Sequence, residues 1–222
     1  MIKKSISRRR FLQSTGAAAI WVPSTMHGYT SAEMQAFYAN GVMQQDVAKS
    51  ELDTPALCVD LDLLESNIGK LQRTVTSNAI AARPHAKTHK CPTIAQLQID
   101  AGALGICTAK IGEADVMFQN GIEDILMTTT NVTPTKIGRA MKLREQCAGF
   151  IQATDSAQNA RLLSEAAQAM GITADVVIDV DPGGHRTGIT ARQPALELAQ
   201  LIEQLPALRL RGMLCYDGGA QH

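Results

Sequence analysis

The residues best suited to chemistry lie together in Arg83-Pro84-His85-Ala86-Lys87-Thr88-His89-Lys90, where five of eight side chains are basic or can become so. The stretch before them, Ala79 to Ala82, is apolar, and the stretch after, Cys91 to Leu97, reads as a helix start. The cluster therefore sits at the end of an expected strand, entering a strand-to-helix loop. Alternation along a strand puts Arg83, His85, Lys87 and His89 on one face and Pro84, Ala86 and Thr88 on the other. A buried row of cations calls for an anionic partner, because unpaired buried charge is costly. A phosphate-bearing ligand supplies one. Crowded positive charge also favours the neutral amine, the form of lysine that makes a Schiff base. A solvated basic loop or a nucleic-acid patch is the competing reading. Against it, the histidines and Pro84 interrupt a simple charge run. The chain's formal net charge of +0 also offers no basic excess for nucleic acid or an anionic membrane.

Strands and helices alternate on either side of this cluster. Ala56–Leu61 reads as a first strand, followed by Leu64, Ile68, Leu71 and Val75 at helical spacing. The basic-cluster strand comes second, with a helix running to about Ala101 and Gly102 placed to stop it. Further strands are expected at Gly105–Ala109, Asp124–Thr128, Phe150–Ala153, Ala174–Val180 and Leu208–Tyr216. Between them, helices are expected at Gly112–Asn120, from Pro134, at Asn159–Met170 and from Pro194; Pro134 suits a first helical turn, where its missing N–H costs little. Seven strands with six intervening helices argue for a parallel sheet. Pattern alone leaves a doubly wound sheet and a (β/α)8 barrel open, but no Gly-rich turn follows the first strand, which weakens a dinucleotide fold.

Five cysteines, Cys58, Cys91, Cys107, Cys147 and Cys215, stand far apart with no CxxC pair. Zinc spacing is absent. Cys58, Cys107 and Cys215 fall in apolar strand-like runs and are expected to be buried free thiols.

Function in a parallel α/β barrel lies at the C-terminal ends of the strands. Asp179-Val180-Asp181-Pro182-Gly183-Gly184-His185-Arg186-Thr187-Gly188 falls there, with Asp179 and Asp181 on one strand face and glycines that allow a close backbone approach to a ligand. Taken alone, it reads equally as an ordinary loop. Tyr216 ends the last strand, as a pocket residue or as a tyrosine at the core's rim. Lys110 and Glu113 read as pocket residues or as an exposed helix-start ion pair. Thr128, Thr129, Thr130 and Asn131 offer donors after the fourth strand, which turn chemistry explains as well.

Pro84-His85-Ala86-Lys87-Thr88-His89-Lys90 resembles the PH-x-KTHK motif of D-threonine aldolase and D-serine dehydratase-like enzymes, pyridoxal-phosphate enzymes with an alanine racemase-type barrel. The resemblance implies that Lys87 is the catalytic residue and carries pyridoxal 5′-phosphate on its amine, with His85 among the cofactor contacts. The 179–188 segment looks like the D-x-G-x-x-R-x-G stretch of such barrels, which makes Arg186 a contact near the cofactor's phenolic oxygen. Tyr216-Asp217-Gly218-Gly219-Ala220-Gln221-His222 is similar to the family's Y-x-G-H-x-Q-H run and places Tyr216 along the cofactor ring; Gly219 stands where the family has histidine. Thr108 to Ala114 resembles the family's C-x-A-K-x-x-E-A segment.

The implied fold is a (β/α)8 TIM-type barrel of the alanine racemase N-terminal class. The chain stops directly after its seventh strand, so the expectation is a barrel truncated there, without the family's β-rich second domain. The implied function is a lyase cleaving D-configured β-hydroxy amino acids, as in retro-aldol release of glycine and an aldehyde. D-serine dehydration, racemisation, a non-catalytic pyridoxal-phosphate-binding protein and an inactive fragment are the alternatives. The divalent metal of full-length relatives is bound in the second domain, so no metal ligand is expected here. The resemblance leaves room for a homodimer.

The N-terminus reads apart from this. Ser7-Arg8-Arg9-Arg10-Phe11-Leu12, with Gly16–Val22 behind it, resembles a twin-arginine export signal, and the apolar run is too short for a stable membrane anchor. A disordered or amphipathic basic tail is the competing reading. Residues 1–32 are thus expected to be a signal segment handled by the twin-arginine machinery, with a periplasmic destination, 33–51 a linker with one short helix, and 52–222 the pyridoxal-phosphate-binding barrel.

Overall fold

A computed structural model of the chain describes residues 28–39, 42–43 and 46–221. The expected export segment as far as His27, and His222, lie outside the described residues. Two compact units meet in sequence between Leu64 and Glu65.

In the first unit, helix α1 (Ser31–Ala36) is followed by two short antiparallel strands, β1 (Tyr38–Ala39) and β2 (Val42–Met43). Thr30 caps α1, with its N–H and hydroxyl both donating to Glu33 at 2.8 Å. A single helical turn, Lys49–Glu51, precedes Leu52, which bridges to Tyr29. The expected linker thus carries a strand pair besides its short helix.

The expected strand Ala56–Leu61 does not form. Ala56–Asp60 joins no ladder, and Leu57 and Val59 are exposed. An apolar run specifies a strand only where a partner completes its hydrogen bonds. Here Asp60 instead starts a helix: its carboxylate accepts from Leu63 N–H at 3.0 Å and its carbonyl from Leu64 N–H at 2.9 Å. Leu61 is already the first residue of α2 (Leu61–Ser77).

The second unit continues with α3 (Pro92–Asp100), β3 (Ile106–Thr108), α4 (Ile111–Gln119), β4 (Asp124–Met127), α5 (Pro134–Gln146), β5 (Gly149–Thr154), α6 (Ala157–Ala169), β6 (Ala174–Asp181), β7 (Ile189–Thr190), α7 (Gln193–Gln204) and β8 (Leu208–Leu214). The helix boundaries follow local chemistry. Pro134 opens α5 behind Thr133, whose hydroxyl accepts from Lys136 N–H, and Ser156 caps α6 in the same way through Asn159 N–H. Gly171, at φ 66°, lets the chain leave α6.

All strand pairs in this unit are parallel, in the order β3-β4-β5-β6, with β8 on the far side of β6. The short β7, which sequence reading missed, pairs only with Val180 and Asp181 at the end of β6. Strand order therefore follows chain order without the reversal of a doubly wound sheet, which decides for a partial (β/α) barrel. The expected second strand is reduced to an extended stretch along β3. Leu104 N–H donates to Ala82 C=O, Cys107 N–H to Pro84 C=O and Ala86 N–H to Cys107 C=O, each at 2.8 Å, with one bridge at His85.

The core lies between this wall and its helices. Ile106, Ile125, Met127, Phe150, Val176 and Ile178 are 2 % exposed or less and pack with Met117, Met141, Leu163 and Ile202 from the helices. Each such side chain contributes about 1.5–3 kcal/mol over an exposed one. Period-two alternation then turns Arg83, His85, Cys107, Leu126, Asp175 and Asp179 to the opposite, inner face.

At the N-terminal end of the wall that inner face is closed by ion pairs. Arg83 holds Asp124 at 2.5 Å, in space that a side chain at Gly105 would fill. Buried Asp175 takes a bidentate pair from Arg209 at 2.7 and 2.8 Å, a bond from Arg211 at 2.6 Å, and Arg144 at 3.6 Å. Burial pushes the Asp175 carboxyl up, but the arginine hydrogen bonds outweigh it and hold the group below the usual carboxylate range. Arg83, expected in the row awaiting an anionic ligand, is thus satisfied within the chain.

Two of the cysteines expected to be buried are not: Cys58 and Cys215 are exposed. Cys107 and Cys147 are buried, and burial pushes the Cys107 thiol up to about 11.

Candidate active site

Because the strands are parallel, their C-terminal ends share one rim, and the sequence-predicted residues arrive there from separate elements. The main chain turns sharply after His85. Lys90 N–H donates to Ala86 C=O at 2.7 Å, which leaves Lys87 exposed at the tip of the turn. Strand alternation therefore stops at His85, and Lys87 and His89 do not continue the row. His89 turns back toward α3: its Nδ1 accepts from Cys91 N–H at 3.1 Å and it lies near Gln98.

Arg186 comes from the β6–β7 loop. Asp181 shapes that loop by accepting from Gly183 N–H at 2.9 Å and His185 N–H at 3.1 Å. These bonds, that of Gly183 first, hold its carboxyl below its ordinary value. Gly188 closes the loop at φ 98°, with its Cα so near the Asp179–Asp181 main chain that a Cβ would lie 2.7 Å from Asp181 N. The close backbone approach expected for a ligand is thus used at Gly188 by the chain itself. Gly183 and Gly184 have open space around them.

Tyr216 follows β8, and a bulge decides its side. Val176 pairs with Leu210 but Val177 with Gly212, so Arg211 is an extra residue. The shift places Leu214 opposite Asp179 and carries Tyr216, two residues on, to the inner face in place of Cys215.

These paths converge. The Lys87 amine lies 5.9 Å from the Tyr216 ring centroid, and the Arg186 guanidinium 5.1 Å from it. Among the described residues neither cation is paired with a carboxylate, so two free cations share one aromatic ring at the open rim. Beneath them Asp179 is 4 % exposed. Burial pushes its carboxyl up against a hydrogen bond from Thr187 and the charge of Arg186. In the sequence, Asp179 is marked only by its strand face.

His85 stands directly before Lys87. Its Nε2 lies 3.1 Å from Thr128 Oγ1 and its Nδ1 accepts from Lys87 N–H at 3.2 Å, so the chain itself occupies both ring nitrogens. Thr128, left open as turn chemistry, is what faces the ring; Thr129 instead ties its loop to the Ala109 carbonyl. Asn131 joins a buried polar chain in the helix layer, donating to Gln152 at 3.2 Å and accepting at its carbonyl from Asn159 at 2.7 Å. Glu113 accepts from Ala109 N–H at 2.8 Å and lies 3.9 Å from Lys90, while Lys110 is exposed, so of the two readings the Lys110–Glu113 ion pair does not form. No three metal-ligating side chains cluster among the described residues, and no described helix is long and apolar enough to cross a membrane.

The family model of the alanine racemase N-terminal domain matches residues 59–222. A D-threonine aldolase of Arthrobacter sp. is 38% identical over 176 residues, 78% of this chain and 45% of the relative. A 3-hydroxy-D-aspartate aldolase of Paracoccus denitrificans (strain Pd 1222) is 34% identical over 175 residues, 78% of this chain and 45% of the relative. The crystal structure of D-threonine aldolase from Filomicrobium marinum superposes with a TM-score of 0.74 at 39% identity, covering 78% of this chain and 46% of that one. The chain thus spans about half the length of the relatives it matches.

Proposed function

The chain belongs to the alanine racemase N-terminal domain family, and on that footing we propose that it acts as a pyridoxal-phosphate-dependent lyase on D-configured β-hydroxy amino acids. The observation that carries this reading is the pair of unpaired cations, Lys87 and Arg186, about the Tyr216 ring. A flat, anionic aromatic aldehyde fits such a place: it brings a carbonyl for an amine, negative charge for a guanidinium and a ring face for a tyrosine. Lys87 would hold the cofactor covalently, Arg186 would donate to its phenolic oxygen, and Tyr216 would line its ring. When bound, the cofactor supplies an electron sink for the bond broken beside the substrate's Cα. Lys87, exposed at the tip of its turn, would be free to leave and return to the cofactor as substrate comes and goes. The names of the two aldolases support retro-aldol cleavage, with the Cα–Cβ bond broken, an aldehyde released and glycine left after Cα takes up a proton. A divalent metal is expected only in full-length relatives, and no residue of this chain is assigned to it.

The test is product release. Purified protein supplied with pyridoxal phosphate, with and without manganese, is given D-threonine, 3-hydroxy-D-aspartate or D-serine. Glycine from either of the first two supports the aldolase. Pyruvate from D-serine marks a dehydratase, inverted amino acid a racemase, and binding without any product a non-catalytic carrier.

The same proposal includes export. Ser7-Arg8-Arg9-Arg10-Phe11-Leu12 supports the twin-arginine route to the periplasm, which carries proteins already folded around a cofactor. Replacing Arg8 and Arg9 together by lysine is expected to retain the protein in the cytoplasm. Equal periplasmic yield from both forms would contradict this.

A further inference from the structure

Three hydrogen bonds run in one direction from Lys87 into the wall. Lys87 N–H can only donate, so His85 Nδ1, 3.2 Å away, carries no proton. The neutral ring then bears its hydrogen on Nε2, which points at Thr128 Oγ1 at 3.1 Å. Thr128 Oγ1 accepts that hydrogen and donates its own to the Thr108 carbonyl at 3.2 Å. A carbonyl can only accept, so both ends of the chain select the same tautomer between them.

Resting on the reading of Lys87 given above, we propose that His85 is a positioning residue. Held by Thr128 as the neutral Nε2–H tautomer, it anchors the main chain that presents the Lys87 amine at the rim. It acts through Lys87 and not as a ligand of the cofactor, because both of its nitrogens are already taken.

The surroundings favour that state. Burial first, then the charge of Lys87, push His85 below its ordinary value, outweighing Glu113 from α4 and the Cys107 carbonyl from β3. Thr128 on β4 is uncharged. His85 therefore stays neutral at neutral pH and protonates only on the acid side of the usual histidine range. A proton on Nδ1 would face Lys87 N–H, a donor against a donor, and release the turn.

The experiment has one arm without cofactor and one with it. Histidine-labelled nitrogen spectra of the full chain read the tautomer: Nε2–H is expected, with the Lys87 amide proton shifting as His85 titrates. Thr128→Val is expected to mix the tautomers and displace the Lys87 amide signal, whereas Thr128→Ser keeps both. With pyridoxal phosphate and borohydride as the probe, His85→Ala should slow covalent trapping at Lys87 about a hundredfold, the scale of a reacting group misplaced by about 1 Å. His85→Asn, whose Oδ1 can accept from Lys87 N–H, should recover most of that rate and lose the part of the acid limb that follows His85.

An Nδ1–H tautomer in the wild type overturns the proposal. So does His85→Ala trapping at the wild-type rate with the wild-type pH profile. If wild-type protein is not trapped at all, the lyase reading fails, and the cofactor-free spectra alone decide the role of His85.

Discussion

The Lys87 amine stands 5.9 Å from the centre of the Tyr216 ring, although the two residues come from opposite ends of the barrel wall and neither lies within a regular strand. Lys87 reaches this place on a turn after the His85 bridge, and Tyr216 by a bulge in β8. The Arg186 guanidinium, 5.1 Å from the same ring, makes Tyr216 the centre of the group.

That centrality predicts the effect of Tyr216→Leu. A half-exposed cation–ring contact contributes about 0.5–1 kcal/mol. Loss of the ring, with its face for the cofactor, should weaken pyridoxal-phosphate binding about fivefold and leave the melting temperature unchanged. Equilibrium dialysis and thermal melts check both parts.

The bulge predicts something less intuitive. Inserting one alanine between Leu214 and Cys215 undoes that one-residue shift and brings Cys215, not Tyr216, to the inner face. The insertion should abolish cofactor loading in a protein that still melts cooperatively. Arg211→Ala keeps the register and should load as the wild type does. Equal loading by both variants would show that the bulge does not aim Tyr216.

Gly188 and Gly184 make a matched pair in the Arg186 loop. Gly188 combines φ 98° with main chain packed where a Cβ would go, while nothing lies within 4 Å of a Cβ at Gly184. Gly188→Ala should destabilise the protein by about 2 kcal/mol or more and impair cofactor binding. Gly184→Ala should change stability by less than about 0.5 kcal/mol. Chemical denaturation of the two variants reads the difference.

Asp175 governs acid stability at the other end of the wall. Its carboxyl is held below the ordinary range, so its contribution to folding is fully present above the unfolded-state value, near 4. That contribution disappears as pH falls through the lower folded value. Asp175→Asn should cost about 2 kcal/mol near neutral pH, since Arg209 and Arg211 are half exposed and can turn to water. The variant should also show a flatter stability curve on the acid side. Denaturation curves from pH 3 to 7 decide this.

Much of the architecture was legible in local chemistry. Pro134 and Gly171 mark helix ends by what their backbones can and cannot do, and β3 to β6 and β8 follow from apolar runs between such marks. Lys87, Arg186 and Tyr216 were legible as motif positions at strand ends. What escaped was non-local. Ala56–Leu61 has a strand's pattern but no ladder, because pairing is a property of two segments. The partner of Arg83 is Asp124, from a different strand, so the expected row of free cations loses its first member. The bulge at Arg211 is defined only against β6, which is why Cys215 and Tyr216 could not be assigned to faces. The engagement of both His85 nitrogens depends on Thr128 and on a turn that begins one residue after the bridge.

The most direct measurement is borohydride trapping with pyridoxal phosphate followed by peptide mapping of the full chain. The account predicts a visible absorbance band that reduction abolishes, one pyridoxyl group per chain on Lys87, and no such group in a folded Lys87→Ala variant. Labelling spread over several lysines, or a Lys87→Ala protein that traps as well as the wild type, would contradict it.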